Sequence, residues 1–167
     1  MNSLIAAPFQ EIQVSTLVED LQLRYIKALD ARNMQGWLDC FAGQACYICT
    51  TRENVEQNLP IAMMMDDTRE RLEDRAKAVE KVWAGTFEDY RTRHFVQNLT
   101  LEETQGGKWI AESNFMVTYT TAKGNMQLLT AGVYVDEIAV DEGLARFISR
   151  QAVLDASVAP RYFVYPI

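Results

Sequence analysis

The fold of this chain is decided by residues 109–154, WIAESNFMVTYTTAKGNMQLLTAGVYVDEIAVDEGLARFISRQAVL, in which apolar and polar side chains alternate. In the first part of this stretch, residues 111–121, Phe115, Val117 and Tyr119 fall on one face and polar side chains fall on the other. This two-residue period is typical of a strand that buries one face and exposes the other. Residues 111–121 are therefore predicted to form a half-buried strand.

Two further segments, residues 128–136 and 144–154, continue the alternation. The residues that separate the segments, KGN at 123–125 and DEG at 141–143, tolerate the backbone dihedrals of tight turns. Three long strands joined by short turns predict an antiparallel meander.

The length of the chain fits a single domain. With 167 residues and a hydrophobic content of 49%, it can bury one substantial core and is short for two. Residues 1–14 lack clear periodicity and are expected to form an N-terminal tail. The domain is then predicted to span residues 15–167.

Two helices are predicted between the tail and the first strand. Thr16 and Glu19 fit a capping box, and apolar residues at helical spacing continue from there to Leu29. Asn33 is expected to cap a second, shorter helix that reaches Phe41.

A strand over residues 45–50 and a third helix are predicted next. Asp66 or Asp67 is expected to begin the helix, and Gly85 is expected to end it. Its predicted apolar stripe consists of Leu72, Ala76, Val79 and Trp83.

Alternation returns over residues 91–101, and the glycines at 106 and 107 turn the chain into the meander. The order of elements is helix, helix, strand, helix and four antiparallel strands, which is typical of an α+β fold. We expect a cone-shaped, strongly curved antiparallel or mixed sheet, packed on three helices from the N-terminal half of the chain.

Composition limits the partners of the protein. The net charge is −7, from 23 acidic and 16 basic residues, which disfavours binding to nucleic acid. The sequence has no apolar run near the roughly 20 residues that span a bilayer, and no positively charged flank typical of a secretory signal. Three cysteines within ten positions suit reduced thiols better than disulfides. We expect a cytoplasmic protein that binds neither nucleic acid nor membranes.

The sequence contains few residues that could bind a metal ion. His94 is the single histidine, which excludes a site of two histidines and one carboxylate, and also excludes a Rieske cluster. Cys46 and Cys49 have the spacing of a zinc ribbon, but on a strand the two thiols would point to opposite faces. The sequence also lacks a glycine-rich phosphate loop and a Gly-x-Ser-x-Gly elbow.

A general acid/base pocket is conceivable inside the cone. Asp39 at its mouth, with Tyr25, His94 and Tyr119 facing inward, could enolise a ketone. The same side chains could equally be buried polar groups whose hydrogen bonds are satisfied. The alternative function is therefore a cone-fold isomerase or dehydratase that acts alone on a small hydrophobic substrate, with Asp39, His94 and Tyr119 as its acid/base set.

Three carboxylate doublets, at residues 66–67, 136–137 and 141–142, fall at predicted helix starts or strand ends. Acidic residues commonly cap helices and stay solvated at such places. We interpret all three doublets in this way.

Several segments resemble the small (β) subunits of bacterial aromatic-ring-hydroxylating dioxygenases. They are YIKALD (25–30), TREN (51–54), DDTRERLEDR (66–75) and RHFVQN (93–98), supported by SNF (113–115) and VLD (153–155). The resemblance runs from about Leu17 to the end of the chain, and it is closest to the salicylate or anthranilate type.

The resemblance implies a fold like that of scytalone dehydratase, ketosteroid isomerase and nuclear transport factor. In the family, three small subunits form a ring beneath three large (α) subunits. The large subunits carry the Rieske [2Fe–2S] cluster, the mononuclear Fe(II) and the substrate pocket. The resemblance thus implies a structural subunit of a hexameric oxygenase of aromatic catabolism, with no cofactor of its own.

Charged residues in or beside these segments are expected to pair between neighbouring subunits, where such pairs fix register more than they add affinity. They are Arg52, Glu53, Arg69, Asp74, Arg75, Arg93, His94 and Asp155. Arginine is favoured at interfaces. The alternative is that these residues form ordinary pairs within one chain.

Overall fold

The computed structural model describes residues 6–104, 106–158 and 163–167, and side chains from Ile12 onward. The helices are α1 (Ala6–Asp30), α2 (Met34–Leu38), α3 (Arg52–Glu56) and α4 (Arg69–Lys77), the last continuing as a π-helical turn over Ala78–Val82. The strands are β1 (Phe41–Thr51), β2 (Met64–Asp66), β3 (Tyr90–Glu103), β4 (Lys108–Thr121), β5 (Met126–Asp141) and β6 (Leu144–Leu154).

The six strands form one mixed sheet in the order β2-β1-β6-β5-β4-β3. Strands β3 to β6 are antiparallel neighbours, so the predicted meander is confirmed, while β1 runs parallel to β6. Register shifts interrupt four of the strand pairs, and such bulges bend strands and increase twist. The predicted α+β class and the curved, open sheet are confirmed.

Helix α1 begins earlier than the capping box predicted. It starts at Ala6, and Thr16 lies inside it, where its hydroxyl donates to the carbonyl of Ile12 one turn back. This local bond satisfies the hydroxyl without ending the helix. Val14 is buried against the core, so the apolar stripe also begins before Thr16. Of the predicted tail, residues 1–5 lie outside the described residues.

Helix α2 is capped as predicted, because the side chain of Asn33 accepts a hydrogen bond from the amide of Gly36 at 2.9 Å. The helix is shorter than expected and ends at Leu38. Phe41 opens β1 instead of closing the helix, and its ring packs on Trp37 with centroids 5.0 Å apart.

Helix α4 is capped by Thr68 and not by the predicted Asp66 or Asp67, since the Thr68 hydroxyl accepts from the amide of Arg71. Asp66 belongs to β2, a strand that the sequence analysis missed together with α3. The predicted apolar stripe ends early, because Trp83 lies beyond the π-helical turn and is exposed.

The core lies between the helices and the inner face of the sheet. Edge-to-face aromatic contacts join Tyr25 on α1 to Phe41, Tyr134 and Phe147 on three strands, with centroids 5.6 to 6.3 Å apart. Such contacts add to the free energy gained by burying the rings. Helix α1 therefore packs on strands β1, β5 and β6 at the inner face of the sheet.

Strand β5 approaches β6 closely at Gly132. A Cβ atom there would lie 2.0 Å from the carbonyl oxygen of Val153. Gly132→Ala is expected to destabilise the protein by about 3 kcal/mol, because the backbone must move to relieve the overlap. Urea denaturation measures the effect.

Gly43→Ala is the matched control, since a Cβ at Gly43 meets nothing within 4 Å. We expect it to change the free energy of unfolding by less than about 1 kcal/mol. Equal effects of the two substitutions would contradict the close approach of β5 to β6.

Candidate functional site

An ion pair occupies the inside of the cone. Asp136 and Arg150 are opposite each other in the register of β5 and β6, and both side chains are fully buried. The guanidinium donates through Nε to Oδ1 at 2.9 Å and through Nη2 to Oδ2 at 2.7 Å. Two parallel hydrogen bonds of this kind are the strong, geometrically specific form of the arginine–carboxylate contact.

Gln22 links this ion pair to helix α1. Its Oε1 accepts from Nη2 of Arg150 at 2.5 Å, and its Nε2 donates to Oδ2 of Asp136 at 3.2 Å. The same Nε2 is 3.4 Å from the hydroxyl of Ser113 on β4. One buried network thus joins α1 to three neighbouring strands.

Three aromatic rings surround the guanidinium of Arg150. Its central carbon is 4.1, 4.0 and 3.9 Å from the ring centroids of Tyr25, Tyr134 and Phe147. Cation–π attraction of this kind is strongest when the cation is desolvated. Burial lowers the pKa of Arg150, but the nearby carboxylate of Asp136 outweighs this effect. The pKa of Arg150 is therefore raised above its usual value.

The tyrosines of the interior are held in their neutral forms. Burial raises the pKa of Tyr25 to about 12, and its hydroxyl donates to the carbonyl of Ile167 at 2.7 Å. Burial also raises the pKa of Tyr134 well above its usual value. Arg150 and these two tyrosines therefore keep their protons near neutral pH. The interior is therefore built for packing and charge pairing.

The members of the predicted acid/base set each hydrogen-bond to a residue outside the set. Asp39 is exposed at the end of α2, where its carboxylate accepts from Gln35. Tyr119 donates to Gln127 at 2.6 Å, and His94 is buried against α1. The convergence of Asp39, His94 and Tyr119 in one pocket stays a prediction.

His94 has a different partner, Asp30 at the end of α1. Its Nδ1 lies 2.7 Å from Oδ1 of Asp30, and its backbone amide donates to Oδ2. The hydroxyl of Thr92 also donates to Oδ1 of Asp30. The side chain of His94 is only 1% exposed. This cluster fastens the C-terminal end of α1 to β3.

The other residues predicted at subunit interfaces make contacts within the chain. Arg52 pairs with Asp155 at 2.5 Å, and Arg75 makes two hydrogen bonds to the buried Asp66. The remaining contacts are Arg69 with Glu73 and the carbonyl of Leu38, Asp74 with Lys77, Glu53 with Gln57, and Arg93 with the carbonyl of Thr92.

The acidic doublets differ in their surroundings. Asp141 ends β5 and Glu142 lies in the exposed turn that follows it, so this doublet is at a strand end as predicted. Asp136 was interpreted as a solvated strand end, and this interpretation is wrong because the side chain is buried in the middle of β5. The sequence did contain a signal for this burial. Asp136 lies two residues from both Tyr134 and Ile138, and alternate residues of a strand share one face, which here is the buried one.

The cysteines are free thiols. Cys49 is buried and Cys46 is half-buried on β1, and burial raises the pKa of the Cys49 thiol to about 12. Within the described ranges, no three metal-ligating side chains lie close enough together to hold an ion. No helix in the described part of the chain is long and apolar enough to span a bilayer.

The ion pair makes a testable contribution to stability. Arg150→Met is expected to lower the free energy of unfolding by about 4 kcal/mol, because Asp136 would keep a buried charge without its partner. Chemical denaturation measures the loss. Arg146→Met on the same strand is the control and is expected to cost less than about 1 kcal/mol.

The double variant Asp136→Leu and Arg150→Met shows whether the loss of stability comes from an unpaired buried charge or from lost side-chain packing. With neither charge present, it is expected to be more stable than Arg150→Met alone. If the double variant were the less stable one, the isolated carboxylate would not be the cause of the loss.

The buried tyrosines and thiols predict that stability falls at alkaline pH. Groups with raised pKa values keep their protons in the folded state after the unfolded chain has lost its own. The stabilisation from these groups is therefore fully present below about pH 8, under the ordinary pKa of a thiol, and is lost as pH rises through the pKa values of the folded state. Tyr25 alone removes roughly 3 kcal/mol between pH 10 and pH 12.

Urea denaturation at intervals from pH 8 to pH 11.5 measures this decrease, and tyrosinate absorbance reports the ionisation directly. Tyr25→Phe is expected to flatten the curve above pH 10. A free energy of unfolding that stays constant over the whole range would contradict the buried, neutral state of these groups.

Comparison with known proteins places these features in a family. The family model described as the ring hydroxylating beta subunit matches residues 24–161. The chain is 26% identical to the anthranilate 1,2-dioxygenase small subunit of Burkholderia cepacia, over 88% of this chain and 90% of that protein.

Solved structures agree with this match. The β subunit of a candidate aromatic-ring-hydroxylating dioxygenase from Novosphingobium aromaticivorans is 28% identical, with a TM-score of 0.78 over 87% of this chain and 92% of that one. A candidate scytalone dehydratase from the same organism is 14% identical, with a TM-score of 0.64 over 94% of this chain and 91% of that one, and shows the fold alone. The chain belongs to the family of ring-hydroxylating dioxygenase β subunits.

Proposed function

We propose that this chain is a non-catalytic scaffold of a ring-hydroxylating oxygenase, whose large subunits perform the chemistry. The observation that carries the proposal is the buried ion-pair network inside the cone. There Arg150, Asp136 and Gln22 bond to one another. Arg150, Tyr25 and Tyr134 have raised pKa values, so none of these three groups exchanges a proton near neutral pH.

Membership of the family implies a large-subunit partner. Under this proposal the partner carries the Rieske cluster and the mononuclear Fe(II), and three large and three small chains form a hexamer. A ring of three identical small chains closes without leaving an unpaired contact surface, which supports this stoichiometry. The domain that enters the ring is proposed to span residues 15–167, with the first turns of α1 preceding it. The family match over residues 24–161 lies within these limits.

The proposed substrate class is an aromatic carboxylic acid of the anthranilate or salicylate type. The support is the named activity of the relative from Burkholderia cepacia. We place the complex in the cytoplasm, because the three free thiols suit a reducing compartment.

Of the charged residues predicted at subunit interfaces, only the exposed ones are still proposed to contact another subunit. They are Arg52, Glu53, Asp74, Arg93 and Asp155. His94 is enclosed by its own chain and is proposed to position α1 and β3. A lone isomerase or dehydratase is not favoured, since the chain belongs to the family of ring-hydroxylating β subunits and Asp39 and Tyr119 bond to residues outside the acid/base set.

The test compares the chain alone with the chain co-expressed with its large subunit and supplied with an electron-transfer chain. The chain alone is expected to hydroxylate no aromatic acid, while the complex is expected to do so. His94→Ala is expected to lower stability by about 2 kcal/mol and reduce the yield of complex. The turnover per iron of the complexes that form should stay unchanged.

Two results would sink the proposal. One is hydroxylation by the small chain alone. The other is a His94→Ala complex that assembles with full iron content and yet has lost its turnover. Asp39→Ala is the control, because that carboxylate is exposed and outside the interior, and it should leave assembly and turnover unchanged.

A further inference from the structure

The segment of residues 163–167 packs into the interior of the protein after the last strand. Val164 and Ile167 are 4% and 2% exposed. The segment belongs to no helix or strand, and within the described ranges no hydrogen bond between main-chain groups joins it to the rest of the chain. Side chains therefore hold it in place, and it can withdraw while the hydrogen bonds of the sheet stay intact.

Two buried tyrosines bind the main chain of Ile167. The hydroxyl of Tyr25 donates to the Ile167 carbonyl oxygen at 2.7 Å, and the hydroxyl of Tyr47 donates to the same oxygen at 3.1 Å. The Ile167 amide donates to the Tyr47 hydroxyl at 2.9 Å. Helix α1 and strand β1 thus direct two hydroxyl donors at one oxygen acceptor.

Three further donors in the core have no acceptor. Nε1 of Trp37, Nη1 of Arg150 and the hydroxyl of Tyr134 are buried and make no hydrogen bond within the described part of the chain. Burial raises the pKa of Tyr25, and the nearby side chains of Arg150 and Trp37 partly oppose that rise. Two of the three donors therefore lie beside the Tyr25 hydroxyl. Because buried donors without acceptors are unfavourable, this region can bond to more acceptors than the segment supplies.

A cavity of about 430 Å³ borders the segment at Tyr165, which lines it together with Arg32, Phe87 and Asp89. The ring of Tyr165 contacts the rings of Phe87 and Tyr90, with centroids 6.1 Å apart in both cases. The segment therefore extends from the wall of this cavity to the two buried tyrosine hydroxyls.

The segment itself shows which chemical groups this region accepts. The aromatic ring of Tyr165 packs among other aromatic rings, and the carbonyl oxygen of Ile167 accepts from two hydroxyls. The unpartnered groups of Trp37 and Arg150 can only donate hydrogen bonds. A small aromatic molecule that carries a carbonyl or carboxylate oxygen matches both the rings and the donors.

We infer that residues 163–167 cover a binding site for a small aromatic molecule with a carbonyl or carboxylate oxygen, and that this ligand binds when the segment withdraws. The ligand oxygen accepts from the two tyrosine hydroxyls in place of the Ile167 carbonyl, and its ring occupies volume that the segment leaves. The ion pair of Arg150 with Asp136 stays intact, because its hydrogen bonds do not involve the segment. The inference goes beyond the proposed function and does not depend on a large subunit.

Competition between the segment and the ligand can be tested in the full chain. The apparent dissociation constant of the ligand falls as the fraction of chains with a withdrawn segment rises. Ile167→Ala removes buried contacts from the segment and is expected to tighten the binding of acetophenone by about tenfold or more. General damage to the fold would weaken binding instead. Isothermal titration calorimetry measures the dissociation constant.

Ile167→Val is a smaller truncation that keeps the test decisive if Ile167→Ala does not fold. It is expected to tighten binding in the same direction by roughly threefold. Leu72→Ala is the matched control, since Leu72 is fully buried on α4 outside the segment. It is expected to lower stability and to leave the dissociation constant within about twofold of the wild-type value. Circular dichroism verifies that each variant is folded.

Ethylbenzene tests the role of the oxygen acceptor, because it has nearly the shape of acetophenone and lacks the carbonyl. The Ile167→Ala chain is expected to bind it about tenfold or more weakly than acetophenone. Benzoate tests a carboxylate in the same place. Tighter binding of either acetophenone or benzoate than of ethylbenzene supports the inference.

Four results would overturn the inference. They are no binding of acetophenone or benzoate to any variant, binding that neither Ile167 variant tightens, equal tightening by Leu72→Ala, and ethylbenzene bound as tightly as the two oxygen-bearing probes. None of them bears on the proposed function, which is tested with the large subunit. Hydroxylation by the small chain alone would contradict the proposed function and leave this inference standing.

Discussion

The fold depends on the ion pair between Arg150 and Asp136. Taking two charges out of water costs several kcal/mol for each, and only a partner with good geometry and further hydrogen bonds offsets that cost. Here the two carboxylate oxygens, the amide of Gln22 and three aromatic rings supply the offset. Because Gln22 belongs to α1 while the charges belong to β5 and β6, the network forms only when helix and sheet are correctly placed. The ion pair therefore specifies how the helix sits in the sheet.

The same network decides what the inside of the cone can do. A cone fold encloses space that serves either as a binding pocket or as a core. In this chain the space holds the cation Arg150, its partner carboxylate Asp136 and tyrosine rings that pack on the guanidinium. The proposed division of labour, with chemistry in the large subunit, follows from this choice. Under the proposed function, contacts with other chains are made by the outer surface of the cone.

Local signals in the sequence predicted much of this fold. Alternation and turn glycines predicted β3 to β6, and the Asn33 cap predicted α2, because these features depend on neighbours within a few residues. The long-range partners were not predictable in this way. Asp136 and Arg150 are 14 residues apart, and Gln22 is 128 residues from Arg150. Because the partner Arg150 is distant in the sequence, the adjacent carboxylates of Asp136 and Glu137 were interpreted as a solvated strand end. The resemblance identified the family, but it could not show that His94 is bonded to Asp30 at the end of α1.

The charged segments that carried the resemblance serve mainly to build the shape of the chain. Arg52 and Asp155 tie α3 to the end of β6, and Arg75 ties α4 to Asp66 on β2. These pairs flank the loop whose backbone is bonded to β1 and which presents Ile61 outward. Exposed ion pairs contribute little to stability. One such pair on each side of this loop nevertheless limits the conformations that the loop can adopt. These charged side chains thus fix the position of the loop that follows α3.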